Sequence, residues 1–221
     1  APIGITIVLV CFALLLVIFI PAWFGIRLGA AFATVLGILS MLPLTAMIFL
    51  PFFKPGSIHW SNVAGFHAPP HVAVTVTFIF AWFFPILWNV IAMEAAACYV
   101  GECRGGARDA KIALTAEGLF GVFIYIATPL MFVAVLGVAL TTADPLTLYL
   151  TYTNHIFGPG SWEKWFVGLP LIAALALSVL NAIMGCGRSL YQASEDGQLP
   201  RWFEKKNRHG VPGQAMAFNV V

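Results

Sequence analysis

Charge is what this chain has least of. Of its 221 residues only 9% are Asp, Glu, Lys or Arg, against about 25% in a soluble domain. So small a supply of polar groups cannot cover a water-facing surface, which excludes an ordinary soluble domain and implies a membrane. A net charge of +2, with no basic stripe, excludes nucleic acid as a partner. Cysteine is scarce as well, and the spacing of Cys11, Cys98, Cys103 and Cys186 fits neither a metal site nor an extracellular disulfide framework. The histidines, His59, His67, His71, His155 and His209, are scattered, so neither a metal nor another cofactor is expected. No His-Glu-x-x-His, paired-aspartate or nucleophile–base pattern is present, which argues against an enzyme.

What the chain has in quantity is apolar length. It is 61% hydrophobic and 14% aromatic, the aromatics suiting the belts at a membrane surface. A spanning helix needs roughly 20 apolar residues. Such stretches run at about Ile3–Phe24, Leu28–Phe52, Val72–Tyr99, Ile112–Leu140 and Trp165–Leu190, and a sixth begins near Pro212. The expected fold is an all-α membrane protein, a multi-span helical bundle forming a single membrane domain over residues 1–221. The chain starts without methionine and stops inside an apolar stretch, so it is expected to be a piece of a longer protein whose other spans pack against it.

Lys and Arg mark sidedness. Of the 11, Arg27, Arg104, Arg108, Lys111, Arg188, Arg201, Lys205, Lys206 and Arg208 fall on one side, and only Lys54 and Lys164 on the other. The loops at 25–27, 100–111 and 191–212 are therefore expected in the cytoplasm, with the protein integral to the plasma (inner) membrane. Of the outer loops, 54–71 is rich in Pro and Gly, which favour turns. The other contains an apolar-aromatic patch, Leu146–Ile156, readable as a surface helix or as a packed loop.

The third stretch has an unusual centre, with Pro85, Trp88, Asn89 and Glu94 inside ten residues. A carboxylate within hydrocarbon costs a few kcal/mol and usually faces a cavity. One reading is a broken helix whose freed backbone groups line a binding site near the bilayer midplane. The other is a proline-kinked helix with Glu94 snorkelling to the interface and Asn89 bonding a neighbouring helix.

Two segments carry a family resemblance. The first is Ala92-Met93-Glu94, followed eight residues on by Glu102 and then Cys103-Arg104-Gly105-Gly106-Ala107-Arg108. The second is Gly187-Arg188-Ser189-Leu190-Tyr191, then Glu195-Asp196-Gly197-Gln198-Leu199-Pro200, a basic segment, and Gly210-Val211-Pro212. Together they resemble the amino acid–polyamine–organocation superfamily of permeases, with Ala92 and Gly105-Gly106 departing from the usual Gly and Asn-Pro. The resemblance implies the family's fourth span to the start of its ninth, in part of a leucine-transporter-type inverted-repeat fold. It implies a secondary transporter of amino acids or polyamines working by alternating access, coupled to H+ or Na+. Trp88 would gate the site, backbone carbonyls around Ile91 would face the substrate ammonium, and Glu94 would bind substrate or couple to protons. Ser178 and Asn181 would line the cavity or bond between helices. Glu102, Arg104, Arg188, Asp196 and Gly197 would be structural residues of the cytoplasmic loops, with Glu195 and Asp196 capping their loop and pairing with Arg188 or Arg201. The alternative is a non-transporting structural or partner-binding membrane subunit.

Overall fold

The computed structural model describes residues 2–64, 73, 75–88, 93–102, 105–144, 147–160 and 162–220. Every regular element among them is helical. The α-helices are α1 (Pro2–Trp23), α2 (Ile26–Phe49), α3 (Val76–Trp88), α4 (Ala107–Thr141), α5 (Leu148–Phe157), α6 (Glu163–Glu195) and α7 (Gly213–Phe218). Short 3₁₀ segments occupy Leu50–Phe53, Trp60–Asn62 and Arg201–Glu204, and a longer one Met93–Glu102.

Segments Gly4–Trp23, Ile26–Phe53, Ala107–Thr141 and Trp165–Glu195 are long and apolar enough to cross a membrane. They coincide with four of the expected stretches. The third differs, because α3 is only 13 residues long and the chain runs as 3₁₀ from Met93 to Glu102. Large apolar side chains such as Ile5, Leu9 and Phe12 on α1, and Phe80 and Phe84 on α3, are exposed. Hydrocarbon is the solvent for which that arrangement is stable.

The chain packs as two compact units, residues Ala1–Met41, Ala97–Ala110 and Leu171–Val221 in one and Leu42–Ala96 and Lys111–Pro170 in the other. In the first unit, α6 buries Leu180, Ile183 and Met184 against Ala22, Leu36, Val211 and Met216. Asn207 ties the segment before α7 to the end of α1, donating from Nδ2 to the Trp23 carbonyl at 2.8 Å. That carbonyl lies in the last turn of α1, where intrahelical donors have run out. Asn207 Oδ1 accepts from the His209 and Val211 amides, and the His209 ring packs on Phe24 at 5.1 Å.

In the second unit the core is Met47, Phe132, Val135, Leu136, Tyr152, Ile156 and Val167. The patch Leu146–Ile156 falls largely on α5, a helix that buries Tyr152 and Ile156 in this core. The Tyr152 hydroxyl donates to the Met47 carbonyl at 2.8 Å. Four residues beyond Met47 stands Pro51, which has no amide proton to continue the ladder, so the tyrosine supplies the missing donor. Lys54 Nζ donates to the His155 and Ile156 carbonyls at 3.1 and 2.7 Å, a cation where the helix dipole is negative. Inside α4 the regular backbone breaks at Gly137, with φ 76 and ψ 163, a conformation L side chains resist. The Ala134 carbonyl takes its bonds instead from the His59 amide at 2.9 Å and Asn62 Nδ2 at 3.2 Å.

Candidate functional site

The expected substrate segment begins in α3. Thr75 caps that helix, its Oγ1 accepting from the Phe78 amide at 3.1 Å. Pro85 then removes one intrahelical donor. Trp88 is the last residue of α3 and Glu94 lies in the first turn of the Met93–Glu102 segment. Asn89 and Ile91 lie outside the described residues, as does Arg104. A 3₁₀ run usually stops after 3–4 residues, and a mid-span stretch often marks a hinge. Here it extends over 10 residues.

The far end of this segment takes part in a polar site of the first unit. Arg188, on α6, is only 7% exposed. Its Nε donates to Glu102 Oε1, and a second guanidinium nitrogen donates to Glu102 Oε2 at 3.1 Å. The remaining terminal nitrogen donates to the Met184 carbonyl at 2.9 Å. The Tyr99 ring covers the guanidinium, 4.7 Å from its carbon. Residues three apart eclipse on a 3₁₀ helix, which is how Tyr99 and Glu102 reach the same arginine. Bidentate, charge-assisted bonds of this kind are the strong ones. The expectation that Glu195 or Asp196 would hold Arg188 is corrected. Glu195 accepts from the Tyr191 hydroxyl and Asp196 from Gln192 Nε2 at 3.1 Å. Both are contacts four residues back, where side chains are neighbours on a helix, whereas Arg188 lies two turns away.

Beside the pair lies an open cavity of about 790 Å³, lined among others by Cys98, Glu102, Ser189, Gln192, Asp196 and Lys206. Cys98 Sγ is 3.8 Å from Ser189 Oγ. Lys206 sits over the Tyr191 ring at 4.5 Å, and its hydrogen bond with Tyr191 holds its ammonium above the ordinary lysine value. The chain turns after α6 at Gly197, with φ 76, while the buried Ser194 hydroxyl donates to the Pro200 carbonyl at 2.8 Å. Ser178 and Asn181 lie on an exposed face of α6, three residues apart and so side by side on one face. Asn181 is two turns, about 10 Å, from Arg188. No group of His, Cys, Asp and Glu able to hold a metal occurs among the described residues.

The structure thus joins Glu102 and Arg188, two residues marked in the sequence only as structural. It adds Tyr99, Cys98, Ser189 and the Met184 carbonyl, which sequence reasoning missed. The spacing of Tyr99 and Glu102 would have pointed to a shared partner only if the 3₁₀ geometry had been known.

Helices of this length and polarity, with the charged groups gathered at the helix ends, define an integral, multi-span α-helical membrane protein. A family model described as amino acid permease matches residues 2–221. The chain belongs to that family, which makes it an amino acid transporter. No curated protein and no solved structure matches it.

Proposed function

We propose that the protein carries an amino acid, or a polyamine, across the membrane by alternating access, with the substrate held between Trp88 and Glu94. The supporting observation is the change of helix type in the third apolar stretch, from α ending at Trp88 to 3₁₀ starting at Met93. Irregular backbone at membrane depth is tolerated where it is buried in protein or lines a cavity. Half-helix ends then offer partial charges to an ammonium or a carboxylate. In this reading Trp88 gates the site, Asn89 and the carbonyls around Ile91 bind the substrate, and Ser178 and Asn181 line the path. Glu94 meets the ammonium or passes the coupling proton; the alternative coupling ion is Na+. The surrounding helices would belong to a leucine-transporter-type inverted repeat.

The test is uptake by the intact protein in liposomes, using a panel of radiolabelled amino acids and polyamines, wild type beside Glu94→Gln. The expected outcome is uptake competed by one substrate class. In the variant it is reduced at least about tenfold, or freed from its dependence on pH. Uptake indifferent to the substitution would demote Glu94 to an interface residue. No uptake by folded wild type would favour a structural membrane subunit.

A further inference from the structure

Resting on that reading, we infer that Arg188 is a positioning residue of the transport cycle. It clamps the far end of the 3₁₀ segment that carries Glu94, and the clamp opens and closes as the segment moves. The contacts on the arginine are concentrated. Both carboxylate oxygens of Glu102 and the Tyr99 ring come from the one segment, and only the Met184 carbonyl comes from the arginine's own helix. Holding Arg188 in place therefore means holding this segment in place.

Two features separate a clamp from a permanent staple. The first is an asymmetry of burial, the arginine side chain being 8% exposed and that of Glu102 35%. The carboxylate is part-exposed at the adjoining cavity, so on release it meets solvent and the cost of opening falls on the buried arginine. The second is the Tyr99 hydroxyl, which is buried and has no hydrogen-bond partner among the described residues. A polar group left unmet favours any second arrangement that satisfies it. The arrangement observed is thus held at the guanidinium and, among the described residues, under-satisfied beside it.

Cys98 supplies a reporter. It is exposed and lines the cavity beside the pair. Alkylation of Cys98 by a maleimide is followed by peptide mass spectrometry on the intact protein in liposomes, with and without a saturating amino acid that it transports. Uptake is measured on the same preparations for wild type, Glu102→Gln and the exchange Glu102→Arg with Arg188→Glu. The substrate is expected to change the wild-type alkylation rate at least about threefold. In Glu102→Gln the rate should no longer respond, and maximal uptake should fall about tenfold or more with KM held within about threefold. The exchange should restore part of both.

A wild-type Cys98 indifferent to saturating substrate overturns the clamp. So does a Glu102→Gln protein whose Cys98 still responds, whatever its uptake, because that is the behaviour of a staple. If Glu102→Gln does not fold, the wild-type response and the exchange decide. Absence of uptake by folded wild type is a separate result, which removes the transport reading and this inference with it.

Discussion

Tyr152 shows how a single side chain can complete a backbone. It is fully buried, and its hydroxyl meets the carbonyl that Pro51 cannot serve. Tyr152→Phe is expected to cost about 0.5–1.5 kcal/mol, the net worth of such a bond, read as a lower unfolding midpoint in detergent. Burial also pushes the phenol above its ordinary value of 10.0. As pH rises past that value the unfolded tyrosine ionises while the folded one keeps its proton. The unfolded state then binds fewer protons, so stability falls as pH rises. Between about pH 9 and 11 the wild-type midpoint should drop more steeply than that of Tyr152→Phe, the other tyrosines being common to both. Arg188 makes a related point, since at 7% exposure its charge is met by the Glu102 carboxylate and the Met184 carbonyl.

Among the elements, α5 and the Met93–Glu102 segment both depend on residues outside themselves. The helix α5 is 10 residues long, too short to be stable alone in water. Its buried face and the Lys54 ammonium at its last carbonyls hold it in place. Lys54→Met removes that cation and should cost about 0.5–1 kcal/mol. Faster amide exchange confined to residues 148–157 would be the sign. Unchanged exchange there would show that packing alone holds the helix. The 3₁₀ segment likewise lacks the hydrogen-bond geometry to persist over 10 residues unaided, and its anchor is the pair of contacts to Arg188.

For the whole molecule, the placement of Lys and Arg argues the orientation. Cysteines introduced at Gln198 and at Phe53 should be labelled by an impermeant maleimide from opposite sides of the membrane, Gln198 from the cytoplasmic side. Labelling of both from one side would overturn the sidedness read from the charges. The exposed apolar surface of α1 and α3 and the scarcity of charge follow from the same cause, a chain whose solvent is lipid.

The sequence by itself determined that this is a multi-span helical membrane protein, and it determined four of its long apolar helices and the family to which it belongs. Those properties are written locally, in the length of apolar runs and in short motifs such as the run from Arg188 to Pro212, and need no folding to be read. It also marked Glu102, Arg188, Asp196 and Gly197 as residues of the cytoplasmic loops. Only the tertiary structure decided who partners whom. Glu195 and Asp196 stand close to Arg188 in the chain, yet they are taken by Tyr191 and Gln192 one turn away. The arginine is left for Glu102, 86 residues distant. The donor from Tyr152 to Met47, 105 residues apart, was hidden for the same reason. A pairing across the chain depends on the path of everything between the partners, and neither residue carries a mark of it.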